Sequence, residues 1–271
     1  MSRTAVVSSS DFSTWPSYFY PDTIQADGTG TLINRLNERD QDRLTWIEHR
    51  AAGERSRQLF AGEVQIPRTF DGEHLRSVHR HLFQDVYEWA GDYRAVNMTK
   101  GDDRRHFANP RNGELPRYLD DMYRIIATTD WAALDQRDFG TRTARVFAFL
   151  NQAHPFREGN GRTAKVFLAH LAEQSHFDLD FRRVLPGHWN TASQLSRPTE
   201  KTSYEPNPSP LVPVFQSLAV ARDTPPRNDL GGINERLRAA NRPNPYAQLD
   251  PTVRQHPKRP SMPTRDRSLE R

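Results

Sequence analysis

Residues 154–162 read HPFREGNGR, nine positions holding a histidine, a glutamate, two glycines and two arginines. What flanks this stretch decides the fold. Before it, RDFGTRTARVFAFLNQA (137–153) places Phe139, Thr143, Val146, Phe147 and Leu150 on one side of a helix. After it, RTAKVFLAHLAEQ (162–174) places Ala164, Phe167, Leu168 and Leu171 at i, i+3, i+4 and i+7. Pro155 disfavours helix at His154, and Gly159 and Gly161 permit a tight turn just before the second helix. The stretch is therefore a turn between two amphipathic helices.

Such a turn suits an anion. A helix start exposes backbone N–H groups without intrahelical partners, together with the positive end of the helix dipole. Arg162 and Lys165, three apart, project from one side of the first turn. Together these features favour a polyphosphate. Glu158, at the edge of that site, is suited to hold Mg²⁺, which takes one or two protein carboxylates beside phosphates. His154, four residues earlier, has an ordinary pKa of roughly 6.5 and can take a proton from an incoming nucleophile. Phe156 is expected to anchor the loop in the core. A GNG turn alone is common; the ordered conjunction of base, acid, glycine turn and cations carries the reading.

Outward from the turn the chain reads as mainly α. LTWIEHRAAGERSRQLF (44–60) has Leu44, Ile47, Ala51 and Leu59 at mostly helical spacing. Asp71 is a candidate cap for GEHLRSVHRHLFQDVYEW (72–89), with Leu75, Val78, Leu82, Val86 and Trp89 in one stripe. RYLDDMYRIIATT (117–129) predicts a further helix. Between the last two, RAVNM and RRHFA flank TKGDD, two short alternating runs around a Gly/Asp turn that predict a β-hairpin over 93–110. That hairpin is the one clear strand signal; FDLDFRR (177–183) reads as a packed edge. Residues 1–25 mix Ser, Pro, Tyr and Phe without periodicity and predict a strap lying on the domain.

Apolar residues make up only 35% of the 271 and charged residues 27%, so part of the chain is expected outside any core. From Arg222 to Arg271 ten Arg and one Lys face four Asp and two Glu, net +5. Residues 1–221 carry net −1. Eight of the 20 prolines also fall in that tail, which cannot bury enough apolar surface to order itself. Its single aromatic, Tyr246, argues against base stacking and so against nucleic acid as partner. Cysteine is absent, which excludes disulfides and thiolate chemistry. No charged-then-apolar leader and no run of roughly 18 apolar residues is present, so a cytoplasmic protein without a membrane span is expected. His74, His79 and His81 have spacings that do not point all three one way, so they are read as packed or surface histidines rather than metal ligands. His106 reads as an exposed loop residue or a target contact.

HPFREGNGRTAK resembles the signature of Fic-domain proteins, His-x-Phe-x-Asp/Glu-Gly-Asn-Gly-Arg-x-x-Arg, and matches it everywhere but the last position. YFYPDT near the start, HRHLFQDVYEWAGDYR and KGDDRRHFANP look like the family too, so the resemblance covers roughly residues 15–215. It implies a Fic-type helical bundle with one β-hairpin flap: a strap at 1–25, a Fic domain at 26–215 with the motif at 154–165 and the flap at 93–110, then the basic tail at 222–271. It further implies protein adenylyltransferase activity, the transfer of AMP from Mg·ATP to a Ser, Thr or Tyr hydroxyl of a target protein. Carried over by position, His154 is the base and Glu158 the metal ligand. Gly159, Asn160 and Gly161 supply a backbone anion hole, and Arg162 holds the leaving pyrophosphate. The flap aligns the target by strand addition, through Asn97, Lys100, Arg105 and Phe107.

The departure is Lys165, where the family has an arginine that grips the γ-phosphate. Lysine keeps the charge and loses the planar fork. The family is often restrained by a helix whose Glu precedes Gly or Asn, and the only such glutamate in these 271 residues is Glu158 itself. That leaves a separate small antitoxin protein, the expected partner of a toxin-like enzyme, or an unrestrained enzyme; the expected location is the cytoplasm, with delivery into another cell as an effector the alternative. Two other functions fit the same residues: transfer or removal of another phosphate-linked group, or a weakly catalytic nucleotide-binding interaction module.

Overall fold

Helix α4, Gln136–Ala153, is buried on most of its surface, and the rest of the bundle is arranged around it. It starts where the Asp135 carboxylate accepts the Asp138 N–H. Against it pack α3 (Glu114–Ala127), α5 (Asn160–Ala172) and α7 (Val212–Leu218). A Cβ at Gly140 would lie 2.8 Å from the Gln216 backbone, so this glycine sets how closely α4 and α7 approach. The computed structural model describes residues 12–99, 106–198 and 203–222.

Two apolar clusters hold the molecule. One gathers Phe139, Phe147, Phe156, Phe167, Leu168 and Phe215 from α3 to α7. The other joins α1 (Gln41–Phe60) and α2 (Gly72–Phe83) through Leu44, Val78, Leu82 and Phe83. The strap belongs to the second cluster: Phe12, Tyr18 and Phe19 are buried in it, and Phe19 bridges to Leu32. Each such side chain contributes roughly 1.5–3 kcal/mol by leaving water, so α1, α2 and the strap are fastened by a few large residues.

The fold is mainly helical, as the periodicity predicts, with three differences. Helix α2 begins at the expected Asp71 cap but ends at Phe83 rather than Trp89. Asp85 is drawn out to Arg55 of α1 by two 2.7 Å hydrogen bonds, while Val86 and Trp89 stay buried from turns instead of a helical stripe. Second, two short helices are added, α6 (Pro186–Leu195) and α7, each with proline in its first turn. Third, a two-stranded antiparallel sheet joins β1 (Phe177–Leu179) to β2 (Ala219–Ala221), pairing Asp178 with Val220. Three-residue strands forty residues apart carry no local signal. The packed chain thus continues past residue 215 to Arg222, whose guanidinium donates to Asp178 at 2.9 Å.

The expected hairpin is present at its base. Thr99 and His106 form an antiparallel bridge, and Phe107 N–H donates to Met98 at 3.0 Å. Its tip, with Lys100 and Arg105, lies outside the described residues, as do 223–271 of the tail. Among the described residues no helix is long and apolar enough to cross a membrane.

Candidate active site

The turn between α4 and α5 is held in place from several sides. His154 caps α4 in the left-handed region, φ 41°, an unusual conformation for a non-glycine residue. The Asn160 side chain closes the loop on itself, donating to the Phe156 carbonyl at 2.7 Å and accepting the Phe156 N–H at 2.9 Å. Asn160 therefore shapes the loop with its side chain. Gly159 has φ 80°, and a Cβ there would lie 2.3 Å from Phe83, so only glycine fits. At Gly161 a Cβ would meet nothing.

Two buried residues from elsewhere fix this turn, and neither is marked by local sequence. Arg94 sends its guanidinium into the end of α4. It donates to the carbonyls of His154 at 2.7 Å and Ala153 at 3.2 Å, and to those of Val96 at 2.6 Å and Ala108 at 2.5 Å on the flanks of the flap. Burial lowers its pKa to about 10, so it stays charged at neutral pH. His79 accepts the Gly91 N–H at Nδ1 (2.8 Å), which leaves Nε2–H to donate to the Glu158 carbonyl at 3.0 Å. Phe156 stacks on its ring at 3.9 Å. The other two histidines of that helix are likewise structural partners: His74 meets His170 at 2.9 Å, and His81 meets the Arg55 carbonyl at 3.1 Å.

Burial pushes His79 down to about 3 and His74 down to about 4, below the ordinary 6.5. The unfolded chain binds these protons below about pH 6.5 and the folded protein does not. Their stabilising contribution is therefore complete above that pH and falls on acidification, by about 1.4 kcal/mol per pH unit for each such histidine. Urea midpoints measured at pH 7 and pH 5, where carboxylates barely titrate, are expected to drop. His79→Gln, which keeps a donor and an acceptor, is expected to flatten that slope.

Several polar groups surround the turn. The His154 ring stacks on Phe107 at 3.8 Å, 9° from parallel. Phe107 is 3% exposed and lies under the histidine rather than facing a target, whereas Asn97 is exposed beside it. The Arg197 guanidinium also lies over the Phe107 ring, at 4.9 Å. Helix α5 opens at Asn160 with no side-chain cap, so the amides of its first turn lack intrahelical partners. The Gly159 amide is the exception, because it donates to Glu158 Oε1 at 2.8 Å. The Glu158 side chain is 46% exposed, and its Oε2 makes no hydrogen bond among the described residues.

Arg162 turns inward. It donates to Glu48 of α1, and lies 3.5 Å from Glu158 Oε1. Burial alone would lower its pKa, but the Glu48 and Glu158 carboxylates raise it overall. Lys165 leans the other way, with its ammonium over Phe181 at 5.4 Å and Trp189 at 5.8 Å. The side chain is exposed along its length; crowding of the ammonium, then the Arg162 charge, lowers its pKa.

A helix start, a histidine and an open carboxylate thus meet in one loop of a helical bundle. The particular family follows from comparison with known proteins: the chain belongs to the Fic/DOC family, whose model matches residues 69–172. It is 37% identical over 157 residues to the protein adenylyltransferase VbhT of Bartonella schoenbuchensis, covering 58% of this chain and 32% of VbhT. It is 35% identical over 162 residues to the probable protein adenylyltransferase y4lH of Sinorhizobium fredii, covering 59% of this chain and 79% of y4lH. The chain thus spans about a third of VbhT and most of y4lH. Its fold resembles the crystal structure of BepC, a VirB-translocated effector of Bartonella tribocorum with bound AMPPNP. The TM-score is 0.62 and the identity 22%, over 76% of this chain and 97% of that one.

Proposed function

We propose that this protein transfers AMP from Mg·ATP to a Ser, Thr or Tyr hydroxyl of a target protein. The observation that carries the proposal is the meeting of His154, the open Glu158 carboxylate and the uncapped start of α5 in one loop. The names of the two relatives and the nucleotide in BepC support it.

Glu158 fits Mg²⁺: it is a hard oxygen donor, half exposed, with Oε2 open, and a nucleotide's phosphates would complete the shell. Bound there, Mg²⁺ would neutralise phosphate charge. The protein's own residues do the rest. Amides of Asn160 and Gly161, and that of Gly159 once released from Glu158, receive phosphate oxygens. Arg162 draws the leaving pyrophosphate. His154 takes the proton of the target hydroxyl as its oxygen attacks the α-phosphorus and the α–β anhydride bond breaks. Such transfer depends mainly on positioning and charge stabilisation. The flap offers Asn97 and an antiparallel edge for a target strand, with Lys100 and Arg105 at its tip.

With α-labelled ATP and cell lysate, labelled protein bands are expected, and none with γ-labelled ATP. Label from the γ-position, or from another nucleotide instead, would overturn AMP as the transferred group. Nucleotide binding without labelling would leave an interaction module. The same reading includes toxicity restrained by a separate small antitoxin, because Glu158 is the only glutamate here followed by Gly or Asn. Expression of the chain alone should then arrest bacterial growth, and harmless expression of an active chain would overturn the toxin reading. ATP and Mg²⁺ place the reaction in a cytoplasm, that of its own cell or of one into which it is delivered.

A further inference from the structure

Arg162 stands between two carboxylates from different parts of the chain. Glu48, on α1, lies before the segment matched by the family model and is buried, with 7% of its side chain exposed. The Tyr87 hydroxyl donates to Glu48 Oε2, and Arg162 Nη2 donates to Glu48 Oε1. Burial, then the Glu48 charge, push the Tyr87 hydroxyl far above its ordinary pKa, so it is a fixed donor. Glu158, four residues before Arg162 in the turn that leads into α5, is the other carboxylate; its Oε1 is 3.5 Å from the same Nη2. The guanidinium also rests on the Phe83 ring at 4.8 Å.

Glu158 is thus the nearest alternative partner for Arg162, its Oε1 already at the edge of ion-pair range. An arginine fork closed on Glu158 would occupy the oxygens a metal needs. Glu48 prevents that by holding the guanidinium toward α1. We propose that Glu48, oriented by Tyr87, is a positioning residue that keeps Arg162 off Glu158 and so leaves Glu158 available to the metal. This rests on the reading of Glu158 as metal ligand.

The test uses the whole chain with AMPPNP and follows Mn²⁺ binding by electron paramagnetic resonance, with urea unfolding in parallel. Removal of a residue that supports a metal ligand typically weakens metal binding by 10–100-fold. Glu48→Gln, which keeps the shape and loses the charge, is expected to weaken Mn²⁺ binding by about tenfold. Glu48→Asp should recover part of the loss. Tyr87→Phe removes one hydroxyl without emptying the core and should shift Mn²⁺ binding in the same direction; it decides the matter if Glu48→Gln does not fold. Unchanged Mn²⁺ binding in a destabilised but folded variant would reduce Glu48 to a packing residue and overturn the proposal. Tighter nucleotide binding in Glu48→Gln would overturn it in the opposite sense, with Glu48 competing against phosphate. Failure of the unaltered chain to bind Mn²⁺ and AMPPNP would instead overturn the parent reading.

Discussion

Replacing His154 by Ala is expected to lower AMP transfer by about 10³-fold, within the range of a positioned acid–base group. Folding should be nearly intact. The unusual backbone at position 154 is imposed by its neighbours: Arg94 holds its carbonyl, its N–H bonds to Leu150, and Asn160 closes the loop beyond it. The imidazole itself contributes a stacking contact with Phe107, worth about 0.5–1.5 kcal/mol for aromatic pairs. The initial rate of label transfer from α-labelled ATP, measured beside urea unfolding, separates the two effects. Transfer within tenfold of the unaltered protein would remove His154 from the chemistry and direct attention to another base.

Arg94→Ala should have the largest effect on stability, a loss of about 3–5 kcal/mol. Hydrogen bonds from a charged donor are worth about 1.5–3 kcal/mol each and are not additive. This guanidinium makes four, all to main-chain carbonyls, with 1% of the residue exposed and no carboxylate partner among the described residues. Truncation leaves those oxygens facing a cavity in the core. Because the four carbonyls belong to the end of α4 and to both flanks of the flap, His154 and the flap should lose their relative position together. Arg94→Lys is not expected to restore stability, since an ammonium cannot span four acceptors with a planar fork. Urea denaturation measures both variants; a loss below about 1 kcal/mol in Arg94→Ala would mean that water or repacking replaces the fork.

Much of the bundle was legible because local pattern and tertiary role coincide. The Asp71 cap, and the stripes of α4 and α5, are visible in the chain since each helix buries one face or more. Where a helix is held by a distant partner the pattern misleads. The stripe through Val86 and Trp89 continues past Phe83 although the helix does not, because Asp85 bonds to Arg55 of α1. Phe107 shows the same effect within the site. Its place in an alternating run suggests a surface contact, yet it is buried beneath His154.

Sequence by itself determined the turn, its helix start, and the order of histidine, acid, glycines and cations, because all of these lie within twelve consecutive residues, 154–165. Tertiary structure alone decided what orients them. Arg94, His79, Glu48 and Tyr87 act across separations of 60, 79, 114 and 39 residues, through buried or partly buried hydrogen bonds. A polar side chain in the middle of a helix or turn has no periodicity that names its partner. Its role exists only where folding removes water and leaves one acceptor within reach. HPFREGNGR therefore announces its chemistry locally, while the direction in which Arg162 points is set by a glutamate in a different helix.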